Sequence, residues 1–221
     1  MKDLVVLWDI DGTLLSVHGA GRRAFAVALS ATWERPFDLD GVSFAGATDL
    51  GILGLVLGAA ELDGRRIAAF FDALERALDD ELRRAPARAF PGAHEATRTL
   101  AELGVAQGLL TGNEERCARR KLRSAGFDPG QFPFGAFGHQ HADRDELARR
   151  AAAQRRGRMV VVGDTPRDVQ AARAIGALAV AVASGFAPRD SLAAAAPDQR
   201  LDDLTGLVSI LERWPAQAPR R

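Results

Sequence analysis

The chain has 221 residues, 47% of them hydrophobic, which is enough apolar material for a full core and unlike a disordered composition. Acidic and basic side chains balance at 29 each, so a broad nucleic-acid-binding face is not expected, although one or two cations could still hold a small anion. The one cysteine, Cys117, excludes an internal disulfide and a multi-cysteine metal site, and no run approaches the roughly 18 apolar residues of a membrane span. The N-terminal apolar run is too short for a secretory signal, so a cytoplasmic protein without a membrane partner is expected.

Residues 4–8, Leu-Val-Val-Leu-Trp, are apolar throughout and have no polar face. Such a short run reads as a strand buried on both sides, as in parallel sheets. It stops at Asp9-Ile10-Asp11-Gly12-Thr13. Residues two apart leave a strand on one side, so Asp9 and Asp11 are expected together, with Gly12 allowing the sharp turn. Two acids at the carboxyl end of a buried strand sit where open α/β sheets place their ligands. The pattern D-x-D-G-T arises by chance roughly once per thousand chains of this length.

Gly19 to Leu29 then carries an amphipathic helical pattern, which Trp33-Glu-Arg-Pro-Phe breaks. Thr48 or Asp49 is expected to cap an apolar helix running to about Ala60. Arg65 to Arg84 is a long amphipathic helix with Ile67, Phe70, Phe71, Leu74, Leu78 and Leu82 on one side. From Pro91-Gly92 onward, helix and strand alternate. The expected helices are Ala93 to Leu103, Glu114 to Ala125, Asp143 to Gln154, Arg167 to Ile175 and Leu204 to Trp214. The expected strands are Val105 to Leu110, Phe134 to Phe137, Met159 to Val162 and Leu178 to Val182. This order predicts an α/β fold, a Rossmann-like parallel sheet with helices on both faces. The core would comprise 1–15 and 89–221, with an all-helical cap inserted at 16–88.

Two later strands end in polar groups that belong at the same sheet edge. Val105 to Leu110 leads into Thr111-Gly112-Asn113 before a helix, an arrangement able to hold a phosphate, with Asn113 expected to cap that helix. Met159 to Val162 leads into Gly163-Asp164-Thr-Pro-Arg-Asp168. Asp164 joined to Asp9 gives an oxygen-only, incompletely filled coordination that suits Mg²⁺.

These motifs, in this order, resemble those of the haloacid dehalogenase-like hydrolases of the phosphatase type. The resemblance covers Leu4 to Leu15 and about Pro91 to Leu211. It implies that Asp9 is the nucleophile, Asp11 the general acid/base, and Thr111 with Gly112 a phosphate site. Asp9, Asp164 and the Asp11 main-chain carbonyl would bind Mg²⁺, and Asp168 would be a supporting acid. The family's basic residue has two candidates for phosphate binding. Arg144 has a similar spacing from Thr111, and Lys121 is the only lysine besides Lys2. His18, His139 and His141 could line the site or simply belong to polar loops.

The resemblance implies a Mg²⁺-dependent phosphatase acting on a small phosphorylated metabolite through an aspartyl-phosphate, similar to the phosphoglycolate phosphatases. Asp11 favours phosphoester chemistry, because the dehalogenases lack the second acid. A phosphomutase of the same superfamily and a non-enzymatic phosphorylatable signalling module are the alternatives.

Overall fold

A computed structural model of the chain describes residues 1–58 and 61–214. Its centre is β1 (Leu4–Trp8), buried at every position. β1 lies between two parallel neighbours, β4 (Ala106–Leu110) and β6 (Arg158–Gly163). With β5 (Gly135–Ala136), β7 (Leu178–Val182) and β8 (Gln199–Leu201) they form a six-stranded sheet in the order β5-β4-β1-β6-β7-β8. The register fixes the site. Trp8 stands beside Leu109 of β4 and Val162 of β6, so Asp9, Thr111 and Asp164 leave the sheet at one edge.

Alternation along β1 sends its side chains to two cores. Leu4, Val6 and Trp8 pack toward α4 (Ala93–Glu102), α5 (Glu115–Ser124) and α9 (Leu207–Arg213), which contribute Leu100, Leu122 and Leu211. Val5 and Leu7 face the other way, toward Leu147 of α6 (Arg144–Ala153), Val169 of α7 (Pro166–Ala174) and Leu192 of α8 (Arg189–Ala194). The expected parallel sheet covered on both faces is therefore observed.

A two-stranded antiparallel ribbon, β2 (Leu15–Ser16) with β3 (Arg88–Ala89), marks where the chain leaves the sheet and returns. Between them lie α1 (Ala20–Trp33), α2 (Asp49–Leu57) and α3 (Gly64–Arg84). α1 and α3 pack together through aromatic edges, with the Phe25 and Phe70 centroids 4.8 Å apart.

Several elements differ from expectation. α1 runs past Leu29 to Trp33 and stops at Glu34, whose left-handed φ of 54° ends the helix two residues before Pro36. α2 ends at Leu57, capped by Gly58; the last residues of the helix expected to reach Ala60 lie outside the described residues. The helix expected from Leu204 opens as a 3₁₀ turn, Leu204–Gly206, before α9. β2, β3 and β8 span only two or three residues, too few for a readable alternation, and β8 is an edge strand that begins Gln-Arg. No helix among the described residues is long and apolar enough to cross a membrane.

Candidate active site

The turn after β1 is tied by its own backbone. The Ile10 carbonyl accepts N–H groups from Thr13, Leu14 and Leu15, and the Gly12 N–H donates to Leu15. Gly12 has φ of 87°, and a Cβ there would collide with the Asp164 carboxylate. Glycine is thus required twice over at this position.

Asp9, Asp164 and Asp168 come together, all buried, each offering an oxygen within 4.8 Å of the others. Arg144 reaches into this cluster from the first residue of α6. Its Nη2 lies 3.0 Å from Asp9 Oδ1 and 2.5 Å from Asp168 Oδ1, and it donates to the Leu110 carbonyl at 3.1 Å. Asp168 Oδ2 accepts from the Thr165 N–H at 2.9 Å and the Thr165 hydroxyl at 2.7 Å, closing the capping box that starts α7. Asp168 therefore fixes a helix with one oxygen and Arg144 with the other. Asp164 Oδ2 accepts the Phe186 N–H at 2.7 Å, and its Oδ1 accepts the Thr13 hydroxyl at 3.3 Å.

Asp11 has a different cation. Lys121 Nζ donates to Asp11 Oδ2 and to Asn113 Oδ1, both at 2.6 Å, and Asn113 Nδ2 donates to the same Asp11 oxygen at 2.7 Å. Asp11 Oδ1 and Arg144 Nε are buried with no hydrogen-bond partner among the described residues. The expectation that Asn113 caps α5 is corrected: Glu114 is the cap, its carboxylate accepting the Cys117 N–H at 3.0 Å, while Asn113 turns inward to Asp11. Asn113 is thus a site residue that the sequence reading missed. Its only signal was a polar residue directly after Thr-Gly at a strand tip.

Thr111 is fully buried, and its hydroxyl accepts from Asn113 Nδ2 at 2.8 Å. Gly112 borders the cavity, and a Cβ there would strike the Ala47 carbonyl, so the β4 loop meets the helical segment only because this position is bare. The three histidines stand apart from the cavity lining. His18 is exposed at φ 50°, His139 stacks on Phe137, and His141 Nδ1 accepts the Asp143 N–H at 3.0 Å. Cys117 is buried on α5, and burial pushes its thiol well above the ordinary range, so it carries no thiolate.

A cavity of about 380 Å³ opens over the strand tips, lined by Asp9, Asp11, Gly112, Asn113, Lys121 and Arg144 on the sheet side and by residues of the helical segment above. The two sides are hydrogen-bonded. The Asp49 N–H donates to the Gly112 carbonyl at 2.7 Å, the Leu50 N–H to Gly138 at 3.0 Å, and the Thr48 hydroxyl to Ala142 at 2.8 Å. Thr48 also caps α2 as expected, accepting the Gly51 N–H.

Burial pushes the Asp9 and Asp164 carboxyls above the usual carboxylate range. The neighbouring acids add to this, and Arg144 opposes it. Burial alone would lower the Lys121 ammonium, but Asp11 beside it outweighs that and raises it. Crowded carboxylates disfavoured in their charged form, presenting only oxygen donors, fit a hard divalent cation. Asp9 and Asp164 are the residues that could hold one.

Asp49 is raised to about 7, chiefly by burial, with Lys121 and the Glu114 N–H opposing. Its Oδ2 accepts that N–H at 2.7 Å. A folded value above the unfolded 3.8 means that Asp49 contributes stability below about pH 4 that is lost as pH rises through about 7. Asn at this position keeps the acceptor and cannot ionise. In EDTA, Asp49→Asn is expected to match the parent in Tm near pH 4 and to exceed it by a few degrees at pH 8; equal Tm values at both pH values would contradict this.

This arrangement of three strand tips around a carboxylate pair defines a class, and comparison with known proteins agrees. The chain belongs to the haloacid dehalogenase-like hydrolases, whose family model matches residues 4–176, and it is therefore an enzyme of the hydrolase class. Among curated proteins it is similar to the phosphoglycolate phosphatase of Synechococcus elongatus, with 28% identity over 223 residues that take in 96% of this chain and 99% of the relative. Two solved structures share the fold. A predicted phosphatase from Clostridium acetobutylicum is 17% identical with a TM-score of 0.71, covering 94% of this chain and 98% of its own. CbbY from Rhodobacter sphaeroides, solved in complex with phosphate, is 19% identical with a TM-score of 0.70, covering 94% and 96%.

Proposed function

We propose that the protein is a Mg²⁺-dependent phosphatase that hydrolyses a small phosphomonoester through an aspartyl-phosphate on Asp9. One observation carries this reading. Asp9 and Asp11, two residues apart at one strand tip, are each paired with a different buried cation, Arg144 and Lys121. Two carboxyl groups in different electrostatic settings can take different parts in one reaction.

Asp9, with Arg144 beside it to offset the charge of an incoming phosphate, attacks phosphorus. The ester oxygen leaves with a proton from Asp11. Asp11 then takes a proton from the water that attacks the aspartyl-phosphate, releasing phosphate and restoring Asp9. Lys121 and Asn113 hold Asp11 in place for both proton transfers. The Thr111 hydroxyl, whose oxygen already accepts from Asn113, keeps its own proton for a phosphate oxygen, and Gly112 adds a backbone donor. Asp9, Asp164 and the Asp11 carbonyl would hold Mg²⁺, which supplies charge neutralisation on the phosphoryl oxygens. Residues 16–88 serve as a cap that excludes competing water.

The test is metal dependence read in two ways. Phosphate release from p-nitrophenyl phosphate is expected in Mg²⁺ and not in EDTA. Mg²⁺ at about 100 times its Kd is expected to add about 2.7 kcal/mol of stability, several degrees in Tm, and Asp164→Ala is expected to remove that increment. Turnover indifferent to EDTA would contradict the reading.

A further inference from the structure

The cavity above the strand tips has two unlike halves. Its floor carries the acids and cations of the reaction. The wall beyond, supplied by the helical segment, includes Phe25, Phe44, Ile52, Leu74 and Leu78. Phe25 and Phe44 meet edge to face with centroids 5.3 Å apart. A phosphate seated at Asp9 would point the rest of its ester into this wall.

Three cationic side chains line the cavity: Arg144 and Lys121 are paired with acids, and the exposed Arg22 is turned to backbone carbonyls. Arg144 is held by Asp9 and Asp168, and Lys121 by Asp11 and Asn113. Arg22 donates to the Leu39 carbonyl at 2.8 Å and the Val42 carbonyl at 2.5 Å, and its guanidinium lies 4.5 Å from the Phe44 ring centroid. The acid on the same wall is Asp49. A second anionic group on the ester would lose its water on the apolar wall, meet Arg22 only where its guanidinium is already turned to two carbonyls and the Phe44 ring, and face the Asp49 carboxyl group. A desolvated charge without a partner is costly, whereas an apolar group in the same space gains by leaving water.

We propose that the leaving alcohol is compact, uncharged and apolar, so that this enzyme discriminates against phosphomonoesters bearing a carboxylate. The proposal rests on the phosphatase reading above. It also separates this chain from what the name of its curated relative would suggest for the substrate.

Isobutyl phosphate and 2-phosphoglycolate provide the test, because an isopropyl group has nearly the shape of a carboxylate without its charge. With saturating Mg²⁺, kcat/KM for isobutyl phosphate is expected to exceed that for 2-phosphoglycolate by tenfold or more; a ratio at or below one would overturn the proposal. p-Nitrophenyl phosphate in the same assay keeps the two failures apart: its turnover upholds the phosphatase reading whichever ester is preferred, and its absence removes both readings. The exposed Ser43 lies on the cavity wall and outside the reacting groups. Ser43→Arg, which adds a cation there, is expected to shrink the preference at least threefold by raising the rate on 2-phosphoglycolate. An unchanged ratio would place the wall out of reach of the substrate and count against the proposal.

Discussion

Asp9→Asn is expected to lower turnover of p-nitrophenyl phosphate in Mg²⁺ on the order of 10⁴-fold or more, the scale on which removal of a covalent nucleophile is felt. An amide has the shape of the carboxylate and not its nucleophilicity, so the loss falls on kcat. The same change separates chemistry from folding. Burial and the surrounding acids hold the Asp9 carboxyl above the unfolded value of 3.8. Its contribution to stability is therefore present below about pH 4 and is lost as pH rises toward the folded value. A permanently neutral Asn escapes that loss, and in EDTA at pH 8 the variant is expected to be at least as stable as the parent. An inactive enzyme of undiminished Tm is the expected pair of results, and a variant retaining a tenth of the parent's kcat would contradict the role given to Asp9.

Arg144→Met is expected to be the most damaging change for stability. Arg144 is 5% exposed, and one of its nitrogens meets Asp9, Asp168 and the Leu110 carbonyl. Removing one member of a buried ion pair strands the others, at about 3–5 kcal/mol, or roughly 10 °C in Tm for a chain of this size. The damage should shrink in acid, where the stranded carboxyls take up protons. Arg144→Lys offers the contrast. All three acceptors converge on Nη2 while Nε has no partner, so a single ammonium with three donors could replace the guanidinium. Arg144→Lys is expected to remain within about tenfold of the parent in kcat and within a few degrees in Tm. Urea titration and thermal melts at pH 5 and 8 check both variants; equal losses for Met and Lys would show that the length of arginine, rather than its charge, is what matters.

The central strand and its acids could be read from the sequence because burial on two sides demands an unbroken apolar run, and Asp9-Ile-Asp11-Gly12 breaks that run abruptly. The convergence of Asp164 on Asp9 could be expected because parallel strands share one carboxyl edge. What could not be read depended on contacts between distant segments. Lys121 and Arg144 looked interchangeable as phosphate ligands, yet each sits against a different acid, because α5 and α6 both start at the sheet edge and enter it from different strands. Asn113 read as a helix cap because that is the local preference of Asn, and Glu114 took the cap once Asn113 had a stronger partner in Asp11. Asp49 stood at a helix start like any capping acid. Its place against the Glu114 N–H depends on how the segment between β2 and β3 folds back over the sheet. The apolar residues of that wall fit an amphipathic helical pattern, which does not distinguish packing against a neighbour from lining a cavity.

Covalent capture tests the account most directly. Asp11→Asn keeps the nucleophile and removes the proton carrier that hydrolyses the intermediate, so an acid quench of this variant during turnover in Mg²⁺ should trap a phosphorylated chain. Borohydride reduction followed by peptide mass analysis is expected to convert Asp9, and no other residue, to homoserine, with no such product when Asp9→Asn is combined with it. Active enzyme that yields no acyl-phosphate under these conditions, or yields one at a residue other than Asp9, would contradict the account.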